Sequence, residues 1–196
     1  MPRLAPGPHA VSPSVPNVPT TITIVRLLLA PAVGWFVVRG DYAAASAVFV
    51  AAALSDLLDG AIARRWALVS EFGARLDAVA DKLLMLIAAV ALAWQGLLPL
   101  WLVAAIVGRD LVVLAGAVAY RIAVGHVAMA PSLLSKLNTV LECAVLAAIL
   151  FDAAEIIDFS PWLPGLFAAV FLTIVLSGAQ YVWVWSRKAV AARRAV

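Results

Sequence analysis

The chain has 196 residues, of which 65% are hydrophobic and 13% are charged, and its formal net charge is +3. This apolar fraction, with a mean hydropathy of +1.05, excludes an ordinary soluble domain and indicates a membrane protein. The small net charge does not indicate nucleic-acid binding, and the single cysteine, Cys143, excludes an intramolecular disulfide.

Residues 1–19 are the first segment in chain order, and they contain six of the 11 prolines. They have little charge and no apolar run, a composition typical of a disordered tail. A cleavable signal peptide has an apolar stretch directly after a charged start, whereas the first apolar stretch here begins near Thr20. We therefore predict a Pro-rich, disordered tail that is not removed as a signal peptide.

Six apolar segments follow, and each is long enough to cross a hydrocarbon layer of about 30 Å, which takes roughly 20 helical residues. Such segments satisfy their backbone hydrogen bonds in lipid by forming helices. The sequence therefore predicts an all-α integral membrane protein, with a six-helix transmembrane domain at 20–186 and a basic tail at 187–196. The spans are predicted at 20–38, 43–65, 74–95, 98–121, 135–152 and 162–186.

The distribution of basic residues predicts the orientation of these spans. An even number of spans places both termini on one side of the membrane, and Lys and Arg concentrate on the cytoplasmic side. In this arrangement every basic residue except Arg39 lies at or toward the side of the termini, and the acidic stretch 152–158 lies opposite. We therefore predict that both termini are cytoplasmic.

Four aspartates lie in or beside the second and third spans: Asp56, Asp59, Asp77 and Asp81. Spacings of three and four residues place each pair on one face of its helix. The short connection at 66–73 predicts that the two helices are antiparallel neighbours, with both pairs near the cytoplasmic surface. Ligand sets made only of oxygen suit Mg²⁺, Mn²⁺ or Ca²⁺. The pattern thus predicts a carboxylate pocket for divalent metal ions that act on a diphosphate.

Two other interpretations account for charges of this kind. Aspartates at helix ends can simply pair with nearby basic side chains, here Arg64, Arg65, Arg75 and Lys82. Charges inside a membrane also mark the ion path of a transporter or proton relay. Transporter sites, however, lie near the bilayer midplane between structural repeats, and the sequence shows no internal repeat. Metal-dependent chemistry therefore explains the four aspartates best.

The segment 56–64, followed by Gly73, Asp77 and Asp81, resembles the CDP-alcohol phosphotransferase (CDP-alcohol phosphatidyltransferase) signature, D-x2-D-G-x2-A-R-x8-G-x3-D-x3-D. All eight fixed positions match. The resemblance implies that family's fold: a six-helix membrane enzyme, usually a homodimer, whose active site opens to the cytoplasmic leaflet. It also implies that the four aspartates hold two divalent cations, Mg²⁺ or Mn²⁺, and that Asp81 is the catalytic base.

The other fixed positions are implied by the same resemblance to line the CDP moiety of the donor: Gly60, Ala63, Arg64 and Gly73. Small residues allow a nucleotide to approach the helix closely. The guanidinium of Arg64 can bind phosphate oxygens at two points. The intact set of aspartates argues against a scaffold protein that has kept the fold and lost activity.

Three further stretches, 17–26, 108–110 and 131–139, narrow the resemblance. The first is similar to the opening of both phosphatidylglycerophosphate synthases and cardiolipin synthases, and the other two look more like cardiolipin synthases. This implies transfer of a phosphatidyl group from CDP-diacylglycerol to phosphatidylglycerol, with release of CMP. The alternative acceptor is glycerol 3-phosphate, as in phosphatidylglycerophosphate synthases.

Arg109 and Lys136 lie in the last two of these stretches and are the candidate residues for the phosphate of the acceptor. The alternative for both is snorkelling, in which a long basic side chain at a helix end reaches the lipid headgroups. One position departs from the expected pattern, because Glu142 stands where Gln is expected. An additional negative charge at this position is expected to affect the choice of acceptor.

Overall fold

The computed structural model describes residues 18–66, 71–124 and 132–194. These residues form six α-helices and no β-strand, which confirms the predicted all-α class and the order of six helical elements. The helices are α1 (Val18–Val38), α2 (Tyr42–Trp66), α3 (Glu71–Trp94), α4 (Leu100–Val124), α5 (Leu133–Ala153) and α6 (Leu163–Arg194). Helix α1 begins within the predicted N-terminal tail, whose residues 1–17 lie outside the described residues. Helix α6 continues through most of the predicted C-terminal tail.

Three stretches of the described chain are long and apolar enough to cross a membrane: Leu100–Ala119, Leu133–Ala153 and Leu163–Val184. Helices α1 and α2 contribute the shorter apolar stretches Thr23–Val38 and Tyr42–Ser55. Many large apolar side chains on these helices are exposed, as expected where lipid is the solvent. The chain is therefore an integral membrane protein, and membrane crossing by the other three helices stays a prediction.

Helix α1 packs against both α2 and α3. Its buried face carries Ala30, Val33 and Val37, which are fully buried at helical spacing. On α3, Leu84 and Ala88 belong to the same apolar core. Helices α4 and α5 both pack against α6, α5 also packs against α2, and α3 contacts α4 and α5. The Asp-bearing helices α2 and α3 thus share α1 and α5 as neighbours, whereas the described residues show no direct packing of α2 against α3, which was predicted from the short connection.

Two glycines in the left-handed region end α1 and α3 at the same end of the bundle. Gly40 and Gly96 both have a φ of 76°, a conformation that a residue without Cβ adopts readily after a helix. Gln95 joins the two helix ends, since its side-chain nitrogen donates to the carbonyl oxygens of Val37 and Val38 at 2.9 Å each. The Val37 oxygen also accepts from the backbone nitrogen of Gly40 at 3.0 Å, so Gln95 adds to the hydrogen bonding of the last carbonyl groups of α1.

Gly34 marks a close approach of α1 to α3, and its replacement by Ala is expected to destabilise the bundle. A Cβ at this position would lie 2.7 Å from Cγ2 of Ile87. Overpacking of this kind costs about 1–3 kcal/mol, which exceeds the gain of up to about 1 kcal/mol in helix propensity. The melting temperature of the purified protein in detergent should therefore fall. Gly178→Ala on α6 is the control, since its Cβ would meet nothing within 4 Å. Equal melting temperatures for the two variants would contradict this account of Gly34.

Candidate active site

Asp77 and Asp81 lie one turn apart on α3 and form what we call the α3 carboxylate pair. Arg26 of α1 contacts both, with Nη1 at 2.6 Å from Oδ1 of Asp77 and 2.9 Å from Oδ1 of Asp81. The two carboxylates are 41% and 38% exposed, whereas the Arg26 side chain is 1% exposed. The pair therefore has a closed side against α1 and an open side that a ligand can approach.

Thr23 completes the contact between α1 and the α3 carboxylate pair. Its hydroxyl donates to Oδ1 of Asp77 at 3.3 Å, and it lies one turn before Arg26 on the same face of α1. Both side chains are buried. From the sequence, Arg26 indicates the orientation of the chain and both residues belong to the stretch 17–26 of the family resemblance, but neither is predicted to contact the aspartates. A polar pair at a three-residue spacing in an otherwise apolar helix was the available signal, because such residues need partners.

The α3 carboxylate pair is half of the predicted metal site. Partly exposed carboxylate oxygens held side by side suit a hard divalent cation. The described residues contain no group of three or more His, Cys, Asp or Glu able to hold a metal ion. The rest of the predicted site lies outside the described side chains: Asp56, Asp59, Gly60, Ala63, Arg64 and Gly73. The four-carboxylate pocket and the CDP-lining residues therefore stay predictions.

A second group of charges begins at Lys82, the residue after Asp81. Lys82 Nζ lies 2.6 Å from Oδ2 of Asp110 on α4 and 4.0 Å from Oε2 of Glu142 on α5. Arg109 Nη1 lies 2.8 Å from the other oxygen of Asp110. We call Lys82, Arg109, Asp110 and Glu142 the four-charge cluster. Its two cations and two carboxylates cancel in formal charge, which makes the cluster tolerable among apolar helices.

Arg109 is the buried cation of this cluster. Its Nη2 donates to the hydroxyls of Ser135 on α5 at 2.6 Å and Ser177 on α6 at 3.1 Å. The guanidinium therefore ties α4 to α5 and α6, and it is largely enclosed by protein groups. Lys136, the other residue predicted to bind the acceptor phosphate, follows Ser135 but has an exposed side chain. Of these two predicted residues, the structure brings only Arg109 into the cluster.

Glu142 is the most deeply buried carboxylate of the cluster, at 2% exposure. Asn138, one turn earlier on α5, donates to its Oε1 at 2.6 Å. Thr173 on α6 in turn donates to the side-chain oxygen of Asn138 at 2.9 Å. Within the described residues, Oε2 of Glu142 has no hydrogen-bond donor and faces Lys82. The hydrogen bonds from Thr173 through Asn138 to Glu142 thus fix the position of the Glu142 carboxyl group beside Lys82.

Replacement of Asn138 by Ala is expected to destabilise the bundle. It removes the side-chain donor to Glu142, and a buried group without its partner costs about 1–3 kcal/mol. The Thr173 hydroxyl keeps the carbonyl oxygen of Val170 as an acceptor at 2.9 Å. Thermal unfolding in detergent should show a clear fall in the melting temperature. Thr139→Ala is the matched control, because that hydroxyl bonds only the backbone carbonyl of Ser135, which stays within the helix. A melting temperature for Asn138→Ala as high as that of the control would show that the chain of hydrogen bonds contributes nothing.

Comparison with known proteins assigns this chain to a family. Residues 16–185 match the profile of the CDP-alcohol phosphatidyltransferases. The chain is 36% identical over 187 residues, 86% of its length, to a probable cardiolipin synthase (CMP-forming) of Drosophila melanogaster. It is 33% identical over 160 residues, 74% of its length, to the cardiolipin synthase (CMP-forming) of Homo sapiens.

A third relative has a different printed activity. The chain is 46% identical over 102 residues, 50% of its length, to the CDP-diacylglycerol–glycerol-3-phosphate 3-phosphatidyltransferase of Pseudomonas fluorescens. The matches span 58%, 52% and 52% of the fly, human and bacterial proteins, respectively. By the extent of the profile match and by these identities, the chain belongs to the CDP-alcohol phosphatidyltransferase family.

Proposed function

We propose that this chain transfers a phosphatidyl group from CDP-diacylglycerol to phosphatidylglycerol and releases CMP. The observation that carries the proposal is the α3 carboxylate pair, which occupies the last two positions of the family signature and has an open side. The names of the fly and human relatives support phosphatidylglycerol as the acceptor. The Pseudomonas relative supports glycerol 3-phosphate as the second candidate acceptor.

In the proposed reaction the free terminal hydroxyl of phosphatidylglycerol attacks the phosphorus that carries the diacylglyceryl group. A new P–O bond forms, the bond from that phosphorus to the oxygen of the CMP phosphate breaks, and CMP leaves with the electron pair. Asp81 accepts the proton of the attacking hydroxyl as general base. Asp77 lies one turn away on α3 and contributes a second negative charge to the same open side.

Two divalent cations, Mg²⁺ or Mn²⁺, are proposed to bind Asp56, Asp59, Asp77 and Asp81, where they would neutralise charge on the diphosphate. The described half of this ligand set fits such ions, because it offers only oxygen atoms on a partly exposed surface. Gly60, Ala63, Arg64 and Gly73 are proposed to line the CDP moiety. This assignment rests on the signature.

Arg109 and Lys136 are proposed as the residues that bind the phosphate of the acceptor. Arg109 is held in place by three protein partners, and Lys136 supplies an exposed positive charge near the start of α5. We further propose that the site opens to the cytoplasmic leaflet, that both termini are cytoplasmic and that the enzyme is a homodimer. The asymmetric distribution of Lys and Arg supports the orientation.

The experiment that tests the proposed function measures CMP release by the purified full chain with CDP-diacylglycerol and Mg²⁺ or Mn²⁺. Phosphatidylglycerol, glycerol 3-phosphate, inositol phosphate and serine are supplied in separate reactions. Release that depends on phosphatidylglycerol supports the main proposal, and release that depends on glycerol 3-phosphate supports the second candidate. Absence of CMP release with every acceptor would overturn both.

Asp81→Asn is expected to lower CMP release by at least about 100-fold, the low end of the contribution of a general base, because an amide cannot take the proton. The helical content and the elution volume of the variant in detergent should match those of the unmodified protein. Asp41→Asn is the control. The Asp41 side chain accepts from the backbone of Ala44 at the start of α2, and Asn serves equally well there. Unchanged activity of Asp81→Asn would exclude its role as base.

A further inference from the structure

Among the described side chains outside α3, Arg26 makes the shortest contacts to the α3 carboxylate pair, and the signature gives it no role. We propose that its guanidinium is a built-in cation of that site, which shares the α3 carboxylate pair with a divalent ion. In this role Arg26 is a positioning residue that holds the site together before a metal ion binds and weakens metal binding once the site has formed. The inference rests on the proposed metal site.

The geometry of Arg26 favours charge neutralisation over simple packing. A single nitrogen, Nη1, reaches Oδ1 of both Asp77 and Asp81, at 2.6 and 2.9 Å, and so bridges the pair. The side chain is 1% exposed, and an Arg guanidinium stays protonated in proteins. A buried permanent charge must be paired, because an isolated one is very costly in an apolar environment. Arg26 and the α3 carboxylate pair therefore need each other.

Asp77 and Asp81 in turn need a cation beside them. Asp77 and Asp81 lie four residues apart on one helix, where like charges repel each other. One guanidinium between them reduces that repulsion from the side of α1. Both contacts use Oδ1, and the pair is still 41% and 38% exposed. A divalent ion can thus approach from the open side without displacement of Arg26, so the two cations interact through the same carboxylates.

A shared set of carboxylates links Arg26 to metal binding. Removal of the guanidinium takes positive charge away from the two carboxylates, and a bound metal ion supplies positive charge in its place, so the metal-free protein should lose more stability than the metal-bound protein. Removal also eliminates the positive charge of Arg26, which repels the metal ion. Metal binding should therefore become about tenfold tighter, given the strength of charge interactions at a few ångströms. A ligand that binds the folded state raises the melting temperature in proportion to the logarithm of its affinity.

The test is thermal unfolding of the purified full chain in detergent, once with EDTA and once with saturating Mn²⁺. Arg26→Gln is expected to widen the difference between the two melting temperatures, and titration should show a Mn²⁺ dissociation constant about tenfold lower. Arg26→Lys, which keeps the charge, should stay close to the unmodified protein. Arg39→Gln is the control, because Arg39 is exposed and lies over the ring of Trp35 at 4.4 Å. The inference would be overturned if the difference between the melting temperatures with Mn²⁺ and with EDTA were unchanged or narrower in Arg26→Gln.

A double-mutant cycle provides a second readout that needs no metal ion. Asp77→Asn alone weakens the pairing of buried Arg26, and Arg26→Gln alone leaves two repelling carboxylates. The double variant removes both the buried cation and one of the two carboxylates. In EDTA, its loss of stability should therefore be smaller than the sum of the losses in the two single variants. Additive effects would show that Arg26 only packs. If Arg26→Gln alone does not fold, recovery of folded protein for the double variant supports the proposal, and failure of both overturns it.

These outcomes separate the inference from the proposed function. A wider melting difference in Arg26→Gln without CMP release by the unmodified chain would support the inference and overturn the proposed function. If the unmodified chain releases CMP and Arg26→Gln leaves the difference between the melting temperatures with Mn²⁺ and with EDTA unchanged, the proposed function is supported and the inference is overturned. If Mn²⁺ does not raise the melting temperature of the unmodified protein, the shared-cation role of Arg26 is excluded even where CMP release is observed.

Discussion

Charged groups inside apolar helices must be paired, and this constraint explains how one end of the bundle is built. Arg26 on α1 has its partners on α3, at Asp77 and Asp81. One residue further along α3, Lys82 has its nearest partner on α4. Successive helical positions point about 100° apart, so neighbouring residues of α3 reach different helices. Helix α3 therefore connects α1 on one side to α4 and α5 on the other.

The opposite end of the bundle is held by different forces. Apolar side chains such as Phe49, Leu92 and Leu98 are almost fully buried, and Gln95 closes the end of α1. Such packing gives the helices fixed positions without a buried charge among the described residues of this end. The carboxylates of the candidate site are thus carried by helices that are packed along their length, which is how a site keeps a defined geometry.

The sequence predicted the six helices because their length and hydropathy come from local residues. The end of α1 at Val38 was predicted correctly, since Gly40 follows it. Helix α6 extends beyond the predicted span because Arg and Lys favour helix after the apolar stretch ends. Periodicity also placed Asp77 and Asp81 on one face of α3. It did not identify Arg26 as their partner, because periodicity defines a face and does not indicate which helix, 51 positions away in the chain, packs there.

The same limit applies to Arg109, whose burial between Ser135 and Ser177 depends on the packing of three helices. Glu142 is the more instructive position. Gln there would leave Lys82 and Arg109 opposed by one carboxylate, whereas Glu142 makes the four-charge cluster formally neutral. Glycerol 3-phosphate carries more negative charge on its phosphate than phosphatidylglycerol, whose phosphate is a diester. A formally neutral cluster gains less from that extra charge than a cluster with Gln would, so Glu142 is a position at which charge is expected to affect the choice of acceptor.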